Sequence, residues 1–198
     1  MVGRNSSLKI GVLALQGDVP EHIKALQGCG CSPSEVKSPP DLEGLQGLIL
    51  PGGESTTQGK LLVNFGLLEP ITQAAHRGLP LWGTCAGMIL MAKEIVGSEQ
   101  PLLGVMDVVV RRNAFGRQVD SFESPLVVKG LPGGPFRGVF IRAPYVDSVG
   151  PQVEVLSEFE GRPVFVRQGH LLASAFHPEL TDDLRIHEYF LSIAAGKD

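Results

Sequence analysis

The chain has 198 residues, of which 43% are hydrophobic and only 19% are charged, so it can bury one substantial core. Its formal net charge of −4 argues against a nucleic-acid-binding protein, whose surface would be basic. No apolar run approaches the roughly 18 residues that span a membrane, and no leader-like segment precedes the first predicted strand. We therefore expect one soluble, cytoplasmic domain over residues 1–198, with residues 1–7 as a flexible tail and without nucleic-acid or membrane partners.

The first half of the chain alternates buried strands with helix-like segments. Strands are predicted at residues 10–15, 47–50 and 80–83, and helices at residues 19–27, 57–65, 69–77 and 86–93. This alternation predicts an α/β fold of the flavodoxin-like kind, with a mostly parallel central sheet covered by helices on both faces. Ligands bind at the carboxyl ends of parallel strands, so the loops after Leu50 and Trp82 are expected to form the site.

The second half of the chain changes to short strand-like runs separated by Gly and Pro. These runs are residues 105–111, 124–129, 136–141, 153–159, 163–168 and 171–175. We interpret them as antiparallel hairpins added to the sheet. The residues Ile186, Tyr189, Phe190 and Ile193 then recur at helical spacing, which predicts a final amphipathic helix packed on the core.

Residues 83–87 read Gly-Thr-Cys-Ala-Gly and lie between a buried strand and a helix-like run. This spacing is typical of a nucleophile elbow, in which small residues two positions either side relieve crowding at a strained apex. The helix N-terminus would favour the thiolate of Cys85, and the N–H of Ala86 would face a developing oxyanion. The alternative is a small buried core cysteine, but such a residue has no need of flanking glycines.

The segment Phe-His-Pro-Glu at residues 176–179 supplies a histidine with its own carboxylate. In extended chain, residues two apart point to the same face, so His177 and Glu179 would lie side by side. Glu179 could then hold the imidazole in the tautomer that takes a proton from the thiol of Cys85. The alternative is a surface turn before the last helix.

The third candidate element is the loop Pro-Gly-Gly-Glu-Ser-Thr-Thr at residues 51–57, which follows a buried strand. Glycines let backbone N–H groups approach a ligand closely, so the N–H of Gly53 is a candidate second oxyanion donor. A phosphate-binding loop is the competing interpretation, but the Gly-Lys-Ser/Thr ending of that motif is missing. A plain strand-to-helix turn also remains possible.

Cys29 and Cys31 form a Cys-x-Cys pair without a second ligand pair, and a closed zinc site needs four ligands. We therefore expect no metal site. Three cysteines cannot all pair, and a reducing compartment suits a working thiolate.

The elbow at residues 83–87, the loop at residues 51–53 and the His177-Pro178-Glu179 segment together resemble the triad class of glutamine amidotransferases. Four further motifs are similar to those of the glutaminase subunits of pyridoxal 5′-phosphate synthases. They are Gly-Val-Leu-Ala-Leu-Gln-Gly-Asp at 11–18, Pro-Gly-Gly-Glu-Ser-Thr-Thr at 51–57, Arg-Asn-Ala-Phe-Gly-Arg-Gln-Val-Asp-Ser-Phe-Glu at 112–123 and Phe-Ile-Arg-Ala-Pro at 140–144. The similarity runs from about Ile10 to the C-terminal helix.

The resemblance implies a role for each matching residue. Cys85 would be the nucleophile, with His177 and Glu179 completing the triad. The glutamine substrate would contact the following residues: Gly53, Glu54, Ser55, Arg112, Ile141 and Arg142. The loop holding Arg112 could equally be a solvated basic loop, but the resemblance favours the glutamine pocket. No cofactor is implied.

The resemblance also implies the reaction and the partner. L-Glutamine would be hydrolysed to glutamate and ammonia through a cysteinyl thioester. The ammonia would pass to a barrel-shaped synthase subunit, in a hetero-oligomer that builds pyridoxal 5′-phosphate. Family behaviour implies weak activity alone and activation on docking.

Two alternatives remain at this stage. One is a glutaminase that serves another synthase, such as imidazole glycerol phosphate synthase. The other is a non-catalytic binding module of the same fold, against which the intact set of triad residues argues.

Overall fold

The computed structural model describes residues 8–112 and 121–197. Within these residues the helices are α1 Val19–Gly28, α2 Ser55–Asn64, α3 Leu68–His76, α4 Ala86–Met91 and α5 Arg185–Ala194, with short 3₁₀ helices at Pro39–Leu42 and Pro178–Leu180. The strands are β1 Ile10–Leu13, β2 Ser34–Val36, β3 Gly47–Leu50, β4 Leu81–Thr84, β5 Ala92–Ile95, β6 Met106–Arg111, β7 Ser121–Leu126, β8 Phe136–Ile141, β9 Tyr145–Val149, β10 Glu154–Phe159, β11 Arg162–Gln168 and β12 Leu171–Ser174.

A seven-stranded sheet forms the centre of the protein, in the order β10-β11-β12-β4-β3-β1-β2. The five strands from β12 to β2 run parallel, and β11 and β10 continue the sheet antiparallel. Every residue of β1, β3, β4 and β12 is buried, as expected for strands covered on both faces. The predicted mostly parallel α/β fold is confirmed.

Helices cover both faces of this sheet, as the contacts of two neighbouring residues of β4 show. The ring of Trp82 packs against His187 and Phe190 of α5 and His22 of α1. A Cβ on Gly83 would meet the backbone of α4 at Gly87, 2.4 Å away. Since successive strand residues point to opposite faces, α1 and α5 lie on one face and α4 lies on the other.

The interpretation of the second-half strands as hairpins added to the sheet is correct for three runs and wrong for three. The strands β10, β11 and β12 do extend the central sheet. However, β6 joins β5 and β9 in a separate three-stranded sheet, while β7 and β8 form a two-stranded sheet. The period of a strand tells which side chains share a face but not which strand it will pair with.

Other boundaries differ from the prediction by a few residues. The helix predicted to reach Lys93 ends at Met91, and the chain turns directly into β5. The last helix buries Ile186, Phe190 and Ile193 as its spacing predicts, while Tyr189 is half-buried. None of the helices in the described part of the chain has the length and the apolar composition that a membrane span requires.

Candidate active site

The turn from β4 into α4 holds Cys85 at a strained apex. Cys85 has a φ of +48°, which L-residues rarely adopt, and its N–H donates to the carbonyl of Ser174 on the neighbouring strand at 2.8 Å. A Cβ on Gly87 would lie 2.0 Å from the carbonyl oxygen of Leu50. Together with the contact at Gly83, this close approach explains why the turn carries glycine on both sides of Cys85.

The loop after β3 lies beside this turn. Gly53 has a φ of +152°, and a Cβ there would meet the side chain of Gln16 at 2.5 Å. The side chain of Gln16 accepts from the N–H of Glu54 at 2.9 Å. The carbonyl of Gly52 accepts from the N–H of Asp18 at 3.1 Å, so the segment at residues 16–18 holds the glycine loop in place.

His177 and Glu179 lie side by side at the start of the 3₁₀ helix Pro178–Leu180. His177 Nδ1 lies 2.7 Å from Glu179 Oε1 and 3.3 Å from Asp18 Oδ2. The N–H of His177 donates to the carbonyl of Val139 at 2.8 Å, which fixes the backbone. His177 Nε2 is buried and has no hydrogen-bond partner among the described residues, so it remains available to a reacting group.

The surroundings of His177 favour its protonated form. Burial lowers the pKa of His177, but interactions with Asp18, Cys85 and Glu179 outweigh burial and raise this pKa to about 12. Burial raises the pKa of Glu179, and its hydrogen bond to His177 offsets part of that rise. The imidazolium so favoured lies near Cys85, where a positive charge stabilises a sulfur anion.

A pocket of about 290 Å³ opens at the carboxyl ends of the parallel strands, which is the position predicted from the sequence. Its walls include all but one of the predicted site residues: Gly53, Glu54, Ser55, Cys85, Ala86, Arg112, Ile141, Arg142 and His177. Glu179 is the exception, because it is buried behind His177. Residues 113–120 of the motif that begins at Arg112 lie outside the described residues.

The pocket presents charges of both signs. Glu54 caps α2 by accepting from the N–H groups of Thr56 and Thr57 at 3.0 and 2.8 Å. Burial alone would raise the pKa of Glu54, but these hydrogen bonds lower it to about 2, so the side chain is an anion at neutral pH. Arg112 lies 3.4 Å from Glu54 and donates to Thr56 Oγ1 at 3.2 Å. Such a pair matches the ammonium and carboxylate of a free amino acid.

Ile141 and Arg142 also line the pocket. The carbonyl of Ile141 lies 3.9 Å from Cys85 Sγ. Arg142 has a φ of +43°, a rare conformation for a residue with a side chain.

Three glutamine side chains and one aspartate side chain support the site, although the sequence alone assigns them no role. Gln58 is fully buried, and its amide donates to the carbonyl of Gln16 at 2.8 Å and to that of Pro51 at 3.2 Å. Gln100 accepts from Ser55 Oγ at 3.1 Å, and Gln16 and Asp18 make the loop contacts described above. Gln16 and Asp18 do fall within the motif at residues 11–18, but their partners are 34 or more residues away in sequence, so spacing alone gives no signal.

Cys29 and Cys31 lie outside the pocket. The thiol of Cys31 donates to the carbonyl of Leu8 at 3.3 Å, and burial raises the pKa of Cys31. Burial also raises the pKa of Cys29, to about 12. A thiol that keeps its proton is a poor nucleophile and a poor metal ligand, so neither cysteine has the surroundings of a reactive one.

Comparisons with known proteins identify the family of the chain. The model of the SNO glutamine amidotransferase family matches residues 12–195. A protein of Moorella thermoacetica named pyridoxal 5′-phosphate synthase subunit PdxT is 56% identical over 94% of this chain and 99% of its own length. A protein of Herpetosiphon aurantiacus with the same name is 58% identical over 94% of this chain and all of its own length.

A solved structure described as a glutamine amidotransferase has the same fold. It superposes with a TM-score of 0.90 at 55% identity and covers 94% of this chain and 98% of its own. The resemblance inferred from the motifs is therefore confirmed across nearly the whole length. The chain belongs to the SNO glutamine amidotransferase family.

Proposed function

We propose that this protein hydrolyses L-glutamine to glutamate and ammonia and delivers the ammonia to a pyridoxal 5′-phosphate synthase subunit. The relatives that share more than half of their residues with this chain carry the name of such a synthase subunit. The observation that carries the proposal is the arrangement of Cys85 and His177 on one pocket, with Glu179 hydrogen-bonded behind His177.

In the proposed first step, the thiolate of Cys85 attacks the side-chain amide carbon of glutamine. The backbone N–H groups of Gly53 and Ala86 stabilise the negative oxygen that develops. Protonated His177 donates its proton to the leaving nitrogen, so ammonia departs and a glutamyl thioester remains on the sulfur. The raised pKa of His177 suits this role, because the proton is already present when glutamine binds.

In the second step, water attacks the thioester. Neutral His177 takes a proton from the water, and the collapse of the tetrahedral intermediate releases glutamate and the thiolate. Glu179 stabilises the imidazolium that forms and holds Nδ1 of His177 as the donor, so that Nε2 faces the reaction.

Glutamine would be held by the charged wall of the pocket. We assign Glu54, Ser55 and Arg112 to this task, with Gly53, Ile141 and Arg142 closing the pocket near the sulfur. The anionic Glu54 and the cationic Arg112 are complementary to the two charged groups of an amino acid.

The proposed partner is a barrel-shaped synthase subunit that joins ammonia to phosphorylated sugars, so this chain would bind neither sugar. Docking would raise the glutaminase activity by turning an N–H of the Gly52-Gly53 loop towards the oxyanion. In support, the carbonyl of Gly52 accepts from the N–H of Asp18 at 3.1 Å and lies 3.4 Å from Gln58 Nε2. Rotating that peptide would break these contacts, which gives a physical reason for low activity of the isolated chain.

The experiment is glutamate release from glutamine by the purified chain, with and without a pyridoxal 5′-phosphate synthase subunit, beside a Cys85→Ala control. We expect turnover that the partner stimulates and that the Cys85→Ala change abolishes. Full activity of the isolated monomer would contradict activation by docking. No turnover in a folded chain that binds the partner would favour a non-catalytic module, and absence of binding would point to a different synthase.

A further inference from the structure

Two buried histidines lie directly behind the proposed triad and have no part in the mechanism above. His22 is on the first turn of α1 and His187 is on the first turn of α5, and neither exposes any surface to solvent. The ring of Trp82 contacts both at nearly right angles, with centroids 5.6 Å from His22 and 4.8 Å from His187. The orientation of each ring is therefore fixed by packing.

His22 connects the interior of the protein to Glu179. Its Nδ1 lies 3.2 Å from His187 Nε2. Its Nε2 lies 3.1 Å from Thr84 Oγ1 and 3.5 Å from Glu179 Oε2. His22 Nε2 thus lies between the hydroxyl of Thr84, the residue before Cys85, and the oxygen of Glu179 that does not bind His177.

Both imidazoles are neutral at pH 7, because burial lowers the pKa of His187 to about 4 and the pKa of His22 well below its ordinary value. A neutral imidazole carries one N–H, and its other nitrogen accepts. If His22 carried its proton on Nδ1, its Nε2 lone pair would face the carboxylate of Glu179. His187 would then have to accept at Nε2 and leave an N–H on Nδ1, which is buried without a partner.

The opposite assignment removes both conflicts. With the proton of His187 on Nε2, that N–H donates to His22 Nδ1, and the partnerless nitrogen of His187 is a lone pair. The N–H of His22 is then on Nε2, where it lies 3.1 Å from Thr84 Oγ1 and faces Glu179 Oε2 at 3.5 Å. The contacts select this tautomer because every other distribution of protons sets two acceptors or two donors against each other.

This contact matters because Glu179 is otherwise only half satisfied. Its Oε1 accepts from His177, whereas Oε2 is buried, has no hydrogen-bond partner among the described residues and lies 3.5 Å from His22 Nε2. A buried carboxylate oxygen without a donor is costly, so the N–H of His22 on Oε2 would hold the carboxylate plane towards His177.

We propose that His22 is a positioning residue for the glutaminase reaction, acting through an N–H on Nε2 that orients Glu179 and thereby His177. The inference rests on the proposed function. His22 contacts neither the pocket nor the substrate, so its effect would fall on the chemical step and not on glutamine binding.

A matched pair of variants tests this role. The side-chain amide of His22→Gln can take the place of Nε2 and donate to Glu179, whereas that of His22→Asn reaches only the place of Nδ1 and faces His187. Both remove the ring from the same packed site. With the synthase subunit present, we expect His22→Gln to keep kcat within about threefold and His22→Asn to lose about tenfold, with KM for glutamine unchanged in both.

Thermal unfolding of the two variants, measured alongside, separates this effect from loss of folded protein. Equal losses of kcat in two variants of equal Tm would overturn the proposal and leave His22 a packing residue. A folded wild-type chain that binds the synthase subunit but shows no turnover would instead refute the proposed function.

The wild-type protein supplies a second test that no folding defect can disturb. In ¹⁵N-histidine NMR spectra at pH 7, the proposal requires His22 to carry its proton on Nε2. A proton on Nδ1 of His22 would overturn the proposal, whatever the variants do.

Discussion

At the residue scale, the site depends on imidazoles held in opposite states. His177 faces two carboxylates and is held protonated, whereas burial holds His187 neutral, and burial together with the neighbouring His187 and His177 holds His22 neutral. The same side chain is therefore a cation in one place and a neutral hydrogen-bonding group in the layer behind it. Environment alone makes the difference.

The neutral state of His187 has a consequence for stability. Its folded pKa of about 4 lies below the ordinary value of 6.5, so on acidification the unfolded chain takes up a proton before the folded chain does. The stabilisation is present above pH 6.5 and is lost as the pH falls towards 4. We expect the wild type to lose about 2 kcal/mol more than His187→Gln between pH 7 and pH 5.

Urea unfolding of both proteins at several pH values measures this difference directly. The Gln side chain keeps a donor near the position of Nε2 but does not titrate. Parallel stability curves for the two proteins would contradict the account of His187.

The three residues of the proposed triad can be singled out from the sequence because their signals are local. Cys85 lies between two glycines, and His177 and Glu179 are two residues apart. The contacts of Asp18 with His177 and of His22 with Glu179 have no such signal, because they arise only when α1 packs against the 3₁₀ helix Pro178–Leu180.

At the element scale, the strand-turn-helix unit of β4 and α4 determines where the sulfur lies. The apex residue adopts a positive φ, and the backbones of α4 and β3 approach so closely that a Cβ on Gly87 would be 2.0 Å from the oxygen of Leu50. Backbone atoms cannot move aside as the end of a side chain can. The turn therefore needs glycine for packing as well as for chain direction.

We expect Gly87→Ala to lower the free energy of unfolding by about 2 kcal/mol or more, and to reduce glutaminase activity by displacing Cys85. Gly28→Ala is the matched control. Gly28 is the last residue of α1, and its new methyl group would meet only the tip of the Leu184 side chain, at 2.9 Å. We expect that change to alter stability by less than about 1 kcal/mol.

Chemical denaturation of the two variants gives both values. Similar stability of Gly87→Ala and the wild type would show that the elbow tolerates a larger residue, against the packing argument.

Element prediction fails where pairing is not local. The segment Ala92–Ile95 follows a helix without a break and contains two charged residues, so nothing in it indicates a strand. It becomes one because Met106–Arg111, farther along the chain, pairs with it. The short polar strand Ser34–Val36 was missed for the same reason, since it exists as an edge strand on Ile10–Leu13.

At the scale of the whole molecule, the sheet order brings together residues far apart in sequence. The strands β3, β4 and β12 are neighbours, and the segments that follow them carry Gly53, Cys85 and His177. The alternation of strands and helices predicted the first two loops at one edge of the sheet. That β12 would lie beside β4 could not be read from spacing, because 86 residues separate Leu171 from Cys85.

The two small sheets also contribute residues to the pocket from outside the central sheet. Ile141 ends β8, and its carbonyl faces the sulfur of Cys85. Arg112, directly after β6, lines the pocket as well.

Hydroxylamine tests the proposed cleavage of glutamine through a thioester on Cys85. Hydroxylamine attacks a thioester in competition with water, so the complex with the synthase subunit should convert glutamine to γ-glutamyl hydroxamate at the expense of glutamate. Cys85→Ala should form neither product. Unchanged glutamate release at rising hydroxylamine concentration, with no hydroxamate formed, would contradict the covalent mechanism.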